Sequence, residues 1–205
     1  VDLAEFHKLV SDSLRRGTTQ DSYIPGQVKL AALWLERNYT FRYMEQFRLV
    51  QLVTGDRTIT LPTNKVVKSI KFLRLINSDN TYQVLKQVDP RDLHALAEGG
   101  PTSFWKVGSH TLVLNATPTE DLAGEAVLVE YTDWPVEPQS KHELMDMAAD
   151  VLLEQSMLFM AAFLRDPAMA AVHKTLRDEA LNTLTRAEDE GVYGGESVSM
   201  AYIPR

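Results

Sequence analysis

Asp146, Asp150 and Glu154 recur every fourth residue and would share one face of any helix running through them. Three carboxylates in a row could hold a divalent ion or divide acid and base work between them. No histidine, lysine or glycine-rich phosphate loop is placed to complete such a site. The expected role is therefore a solvated stripe, or a row facing a water-filled channel. The five histidines are His7, His94, His110, His142 and His173. None stands four residues from another, so no helical pair could clamp a metal. His142 falls inside Ser140-Lys141-His142-Glu143, which reads as a capping box opening a helix. Arg37, Arg42 and Arg48 could meet phosphates, but Glu36 and Glu45 are interleaved with them, so ion pairs within or between subunits are expected instead. Trp34, Tyr39, Phe41 and Tyr43 could stack on bases; at helical spacing they read as core or interface residues.

Dense catalytic motifs are absent: no GxxxxGK[ST], no GxGxxG after a strand, no GxSxG, no HExxH and no EF-hand loop. With no cysteine there is no disulfide framework, thiolate metal site or thiol nucleophile, and folding in a cytosolic compartment is the simplest reading. Asn38-Tyr39-Thr40 and Asn115-Ala116-Thr117 fit the glycosylation triplet and read as accidental. Val1 to Arg16 lack the basic start and apolar block of a signal peptide. Leu144 to Leu164 is the most apolar stretch, but Asp146, Asp150 and Glu154 interrupt it, which excludes a membrane span there. The net charge of −7 argues against gripping nucleic-acid phosphates. The expectation is a non-enzymatic chain that needs no cofactor and no metal.

The elements that would carry these residues follow from periodicity. Leu3, Phe6, Leu9, Val10 and Leu14 mark an opening amphipathic helix, closed by Gly17. A second helix starts near Pro25 and is expected to run to about residue 46, with Val28, Ala31, Ala32 and Leu35 on its apolar face. From 47 onward the period changes. Strands are expected at 57–62, 67–76, 82–88, 104–107, 111–115 and 127–132, with a short helix after Asp89-Pro90 and a hairpin turn at Gly108-Ser109-His110. Short connections imply an antiparallel sheet. Ser140 opens a long helix to about Leu164, and Asp166-Pro167 opens the last one, to about Asp189. The tail from Gly191 reads as an extended arm.

The expected fold is thus α+β. A helical bundle of the N-terminal helices (1–46) and two long C-terminal helices (138–190) carries a central antiparallel β-sheet insertion (47–137) and an extended C-terminal arm (191–205). The 144–164 helix is apolar on nearly all sides and calls for burial by more than one neighbour. The tail carries Val192, Tyr193, Met200, Tyr202 and Ile203 with no local core, which fits a disordered terminus and an arm that orders on a partner equally well. Two other classes fit the same composition: a small-molecule-binding or regulatory α+β module, which requires a closed apolar pocket, and a divalent-metal-dependent enzyme built on Asp146, Asp150 and Glu154.

The order of several packing motifs resembles the head-to-tail adaptor (head-completion, connector) proteins of tailed bacteriophages, a group that includes gene-transfer-agent adaptors. The stretch from Leu33 to Glu45, with Glu36-Arg37 and Arg42-Tyr43-Met44-Glu45, is similar to their second helix. Ile59-Thr60-Leu61-Pro62 resembles their step into the sheet, although Asn64-Lys65 stands where Asp-Phe is usual. Phe104 to Leu114 resembles their glycine-turn hairpin, followed by a reduced Ala116-Thr117-Pro118, and Val129-Glu130-Tyr131-Thr132 resembles their sheet-ending strand. The resemblance spans about residues 25–165. It implies a structural virion protein at the head-tail junction, assembled in the host cytoplasm as an oligomeric ring, twelvefold by resemblance, below the portal protein. The implied partners are the portal, neighbouring adaptor subunits, a tail nozzle or stopper protein, and double-stranded DNA passing through the channel without sequence-specific binding; no membrane is involved. The portal-docking arm would use Tyr193, Met200, Tyr202, Ile203 and Arg205. The subunit-interface candidates are Trp34, Arg37, Phe41, Arg42 and Glu45.

Overall fold

The computed structural model describes residues 1–14, 18–77, 79, 81–92 and 100–193. The chain is α+β and divides into two compact units, a discontinuous helical one (Val1–Tyr39 with the chain from Trp134 onward) and a β unit, Thr40–Asp133.

In the helical unit, α1 (Leu3–Leu14) buries Leu3, Phe6, Val10 and Leu14. A capping box opens it: the Glu5 N–H donates to Asp2 Oδ1 (2.8 Å) and the Asp2 N–H donates to Glu5 Oε2 (3.0 Å). α2 (Ile24–Asn38) has Pro25 in its first turn and buries Ile24, Val28, Ala31, Ala32, Leu35 and Glu36. It ends eight residues short of the expected boundary at 46. Tyr39-Thr40-Phe41-Arg42-Tyr43 is a run of β-branched and aromatic residues with poor helix propensity, and Asn38 Nδ2 donates back to the Trp34 carbonyl (2.8 Å) at the helix end.

The helix expected from Ser140 to Leu164 is two helices, α3 (Glu143–Met147) and α4 (Ala149–Phe163), broken at Ala148 (φ −146°, ψ 45°). Alanine is the best helix former, so the break is not a propensity effect. Leu144, Met145 and Ala148 are all buried, and tertiary packing overrides the local preference. Ser140 does not cap this helix. Its carbonyl accepts from the Leu3 N–H (3.0 Å), and His142 is the cap, its Nδ1 accepting from the Leu144 N–H (3.2 Å).

α4 packs against α1, α2, α3 and α5 (Pro167–Tyr193), which accounts for its apolar character on several sides. The turn into α5 places Arg165 in the left-handed region (φ 55°). The Asp166 N–H reaches the Ala161 carbonyl (2.9 Å) and the Arg165 N–H reaches that of Ala162 (3.2 Å), a Schellman closure with arginine where glycine is usual. Asp166 Oδ1 then accepts from the Met169 N–H (3.0 Å) and caps α5.

The β unit holds β1 (Glu45–Leu52), β2 (Thr58–Thr60), β3 (Val67–Ile76), β4 (Tyr82–Gln87), β5 (Ser103–Val107), β6 (Thr111–Leu114) and β7 (Leu122–Glu130). They form one seven-stranded sheet in the order β1-β7-β3-β4-β5-β6-β2. The end strands β1 and β2 approach each other, so the sheet is nearly a barrel. Its interior is filled by Val50 and Leu52, Ile59 and Leu61, Val67, Ile70, Leu73 and Leu75, Leu85, Phe104, Leu112 and Leu114, and Ala126 and Leu128. Two β-bulges in β3 explain the spacing of its inward residues: between Val67 and Ser69 and between Ile70 and Phe72 the register against β7 slips, so side chains three apart face the same way.

The sheet is mixed, not purely antiparallel. β4 and β5 run parallel at Lys86↔Ser103 and Gln87↔Phe104. The connection of residues 88–102 meets the dozen or so residues that a parallel crossover needs, a length the sequence reading undervalued. β1 was not expected either; its inward residues alternate from Arg48 to Leu52, and Phe47 and Leu49 point outward. β7 starts five residues before its expected boundary. Ala123-Gly124 has low strand propensity, but β1 and β3 pair on either side of it. Gly124 is needed there. A Cβ would sit 2.9 Å from Val50 Cγ2 and 3.0 Å from the Arg74 carbonyl oxygen. Gly124→Ala is expected to cost about 1–3 kcal/mol by overpacking, read as a lower urea midpoint at unchanged slope.

Candidate interaction surfaces

The carboxylate stripe does not survive folding as a cluster. The break at Ala148 puts Asp146 on α3, where it meets the Val1 amino group (3.3 Å) and Lys141 (3.8 Å). Asp150 accepts its neighbour Val151's N–H (2.8 Å), and Glu154 holds His173 of α5 (2.6 Å). Among the described residues no three histidine, aspartate or glutamate side chains are grouped to hold a metal ion. No described helix is long and apolar enough to cross a membrane.

The remaining polar groups in the interior tie elements together. Arg177 of α5 donates to Gln155 Oε1 of α4 (2.9 Å) and lies 5.0 Å from the Trp34 ring of α2, a cation–π contact joining three helices. His142 Nε2 stands 3.6 Å from Glu36 Oε1, both residues buried, with the Trp134 ring 5.1 Å from the imidazole. In the sheet, Arg48 makes a bidentate pair with Glu130 (Nε–Oε1 and Nη2–Oε2, both 3.1 Å). The Lys106 ammonium donates to the Val67 and Lys68 carbonyls at the first bulge, and burial pulls its pKa down. Asn115, one of the glycosylation-like asparagines, is buried; its Oδ1 accepts from the Thr102 and Ser103 N–H groups (2.9 Å each).

Among the described residues His7 Nε2 is buried without a hydrogen-bond partner, and burial holds the imidazole below its ordinary pKa of about 6.5. The unfolded chain therefore binds this proton at higher pH than the folded one does. His7 contributes stability above the ordinary imidazole value that is lost as pH falls toward the lowered one. His7→Leu is expected to flatten that part of the stability profile between pH 7 and pH 5, measured by urea unfolding at each pH.

Among the described residues, exposed apolar side chains are the notable surface feature. On the outer face of the sheet, cross-strand partners make three rows: Phe47, Val127 and Phe72; Leu49, Glu125, Arg74 and Val84; Gln51, Ala123, Ile76 and Tyr82. Phe47 (54% exposed), Leu49 (66%), Tyr82 (58%) and Val84 (66%) stand open on it. Arg74, ion-paired with Glu125, lies 4.4 Å from the Tyr82 ring centre and ties the patch together. In the helical unit, Leu30, Leu33, Trp34, Arg37, Phe159 and Phe163 line an apolar groove of about 420 Å³ between α2 and α4, with the Tyr23 ring 4.7 Å from that of Phe163. A second groove, of about 640 Å³, lies between the edges of β1 and β2 in the β unit. Both grooves are open to solvent, unlike the closed pocket that a small-molecule module requires.

The interface candidates divide between these places. Trp34 and Arg37 line the α2–α4 groove. Phe41 is buried and stacked on Tyr43 (ring centres 5.6 Å apart), which removes it from the surface. Arg42 is exposed in a 3₁₀ turn, and Glu45 is ion-paired with Lys71 (2.5 Å). Tyr193 is the last residue of α5, so the chain through residue 193 is helical where an arm was expected from Gly191. Met200, Tyr202, Ile203 and Arg205 lie outside the described residues. The expected elements place Phe47 and Leu49 between a helix and a strand, so the sheet-face patch does not follow from them. Their period-two alternation with Arg48 and Val50 was the available signal.

No curated protein matches the chain. The family model described as SU10 adaptor protein matches residues 1–199, and on that match the chain belongs to the SU10 adaptor protein family, a family of phage head-to-tail adaptors.

Proposed function

We propose that this adaptor assembles as a ring below the portal, twelvefold by resemblance, extending the DNA channel and offering tail nozzle or stopper proteins a docking surface. The observation that carries the reading is the pair of exposed apolar surfaces, one on each unit of the chain: the sheet face around Phe47, Leu49, Tyr82 and Val84, and the α2–α4 groove around Leu30 and Phe163. A chain that works by multivalent contact needs separate adhesive surfaces. Apolar patches of this kind mark protein interaction sites. In this reading the helices form a bundle that builds the ring wall, with Trp34 and Arg37, and Arg42 of the β unit, toward the neighbouring subunit. The β unit forms an outward or tail-facing lobe. The net charge of −7 disfavours bound phosphate, so DNA passes without sticking. Assembly takes place in the host cytoplasm and the protein ends in the virion. Gold-labelled antibody against the chain should mark mature particles at a single site, the head-tail junction. Label spread over the head, or absent from particles, would contradict the reading.

A further inference from the structure

The β unit is a barrel left unclosed. Among the described residues β1 and β2 each have one hydrogen-bonded neighbour, so each presents an open edge, and the 640 Å³ groove lies between those edges. An open edge offers alternating N–H and C=O groups to any extended segment, and proteins usually protect it with lysine or proline. β1 carries no such guard. Phe47 and Leu49 stand exposed, and Arg48 is committed to Glu130. The charged residues lining the groove are Asp56 and Asp121. Hydrogen bonds from Thr58 hold Asp56, and hydrogen bonds from Thr54 hold Asp121, below the usual carboxylate pKa range, so the groove is anionic.

We propose that the groove receives the 197–203 segment of a second copy of this chain, added as a strand along β1. Residues 194–205 follow directly on the end of α5 at Tyr193. Extended, twelve residues reach roughly 40 Å. Within them Val198, Met200 and Tyr202 alternate with Ser199 and Ala201, the period of a strand with one apolar face. That face suits Leu49 and Val53, both exposed along the groove. Beyond Glu196 the segment has no acidic side chain, and the Arg205 guanidinium complements Asp56 and Asp121. Main-chain hydrogen bonds supply affinity and the alternate side chains supply register, as in other cases of strand addition. Donation from each copy to the next is a head-to-tail contact of the kind that closes rings.

The test is a synthetic peptide of residues 194–205 added in excess to the full-length chain, with hydrogen exchange followed at β1 and β2. The amides on the open edge of β1, about every second residue, should slow by about tenfold or more. A peptide carrying Met200→Pro, which lacks a donor and breaks the strand, should be inert. A peptide carrying Arg205→Glu should bind several-fold more weakly at low salt. The proposal is overturned if the peptide leaves β1 unprotected, if it protects the α2–α4 groove instead, if the proline peptide binds equally well, or if the peptide binds portal rings and not this chain. Any of these results leaves the adaptor reading standing, because that reading is tested on whole particles and on the portal.

Discussion

Replacing His142 with alanine is expected to lower the unfolding free energy of the helical unit by about 2–4 kcal/mol, from a lost cap and a lost polar neighbour of a buried carboxyl. Three contacts go at once. The buried Glu36 carboxyl loses the imidazole 3.6 Å away, the Leu144 N–H loses its cap, and the Trp134 ring loses the surface it packs on. The protein cannot move a buried carboxyl to water without opening the α2 face that also buries Val28, Ala32 and Leu35. Lys141→Ala, next in sequence but exposed and paired only loosely with Asp146, is the control and should stay within about 0.5 kcal/mol of the parent. Urea unfolding followed by helical circular dichroism measures both. If His142→Ala fell within about 0.5 kcal/mol of the parent, the range of an indifferent surface substitution, the pair would have no structural weight.

Arg48→Met should cost the β unit a similar amount, about 3–5 kcal/mol, and the partner substitution should cost less. The asymmetry comes from burial. The Glu130 side chain is 2% exposed and that of Arg48 is 33% exposed. Removing arginine strands a carboxylate in the barrel end. Removing glutamate leaves a guanidinium that can turn to water, at a cost of about 1–2 kcal/mol. The double variant Arg48→Met/Glu130→Leu should recover most of the loss, because an apolar pair of similar volume needs no desolvated charge. Fluorescence of Trp105 on β5 reports this unit, and a double-mutant cycle separates the pair from its surroundings. Equal costs for the two single variants would contradict the burial argument.

Much of this fold could be read from the residues. The α1 and α2 faces, the β3 strand from Val67 to Ile76 and the Gly108 hairpin each follow one clear period or turn signal, and the structure has them where the signals point. The errors arose where tertiary packing competes with local preference. Ala148 breaks a helix that alanine should continue. Ala123-Gly124 pairs on both sides despite weak strand propensity. Arg165 closes a helix in a conformation that usually selects glycine. The parallel step between β4 and β5 is a topological choice that no local pattern encodes. The surfaces were harder still. Leu30, Phe47 and Leu49 look like core residues in sequence, and exposure is a property of the folded molecule. Family membership was legible because the order of turns and strands survives where single motifs are weak.

The most direct test of the central claim is the mass of the purified chain by light scattering, alone and mixed with portal rings. The account predicts a complex carrying many copies of this chain per portal ring. A chain that leaves the mass of every portal ring unchanged would contradict it.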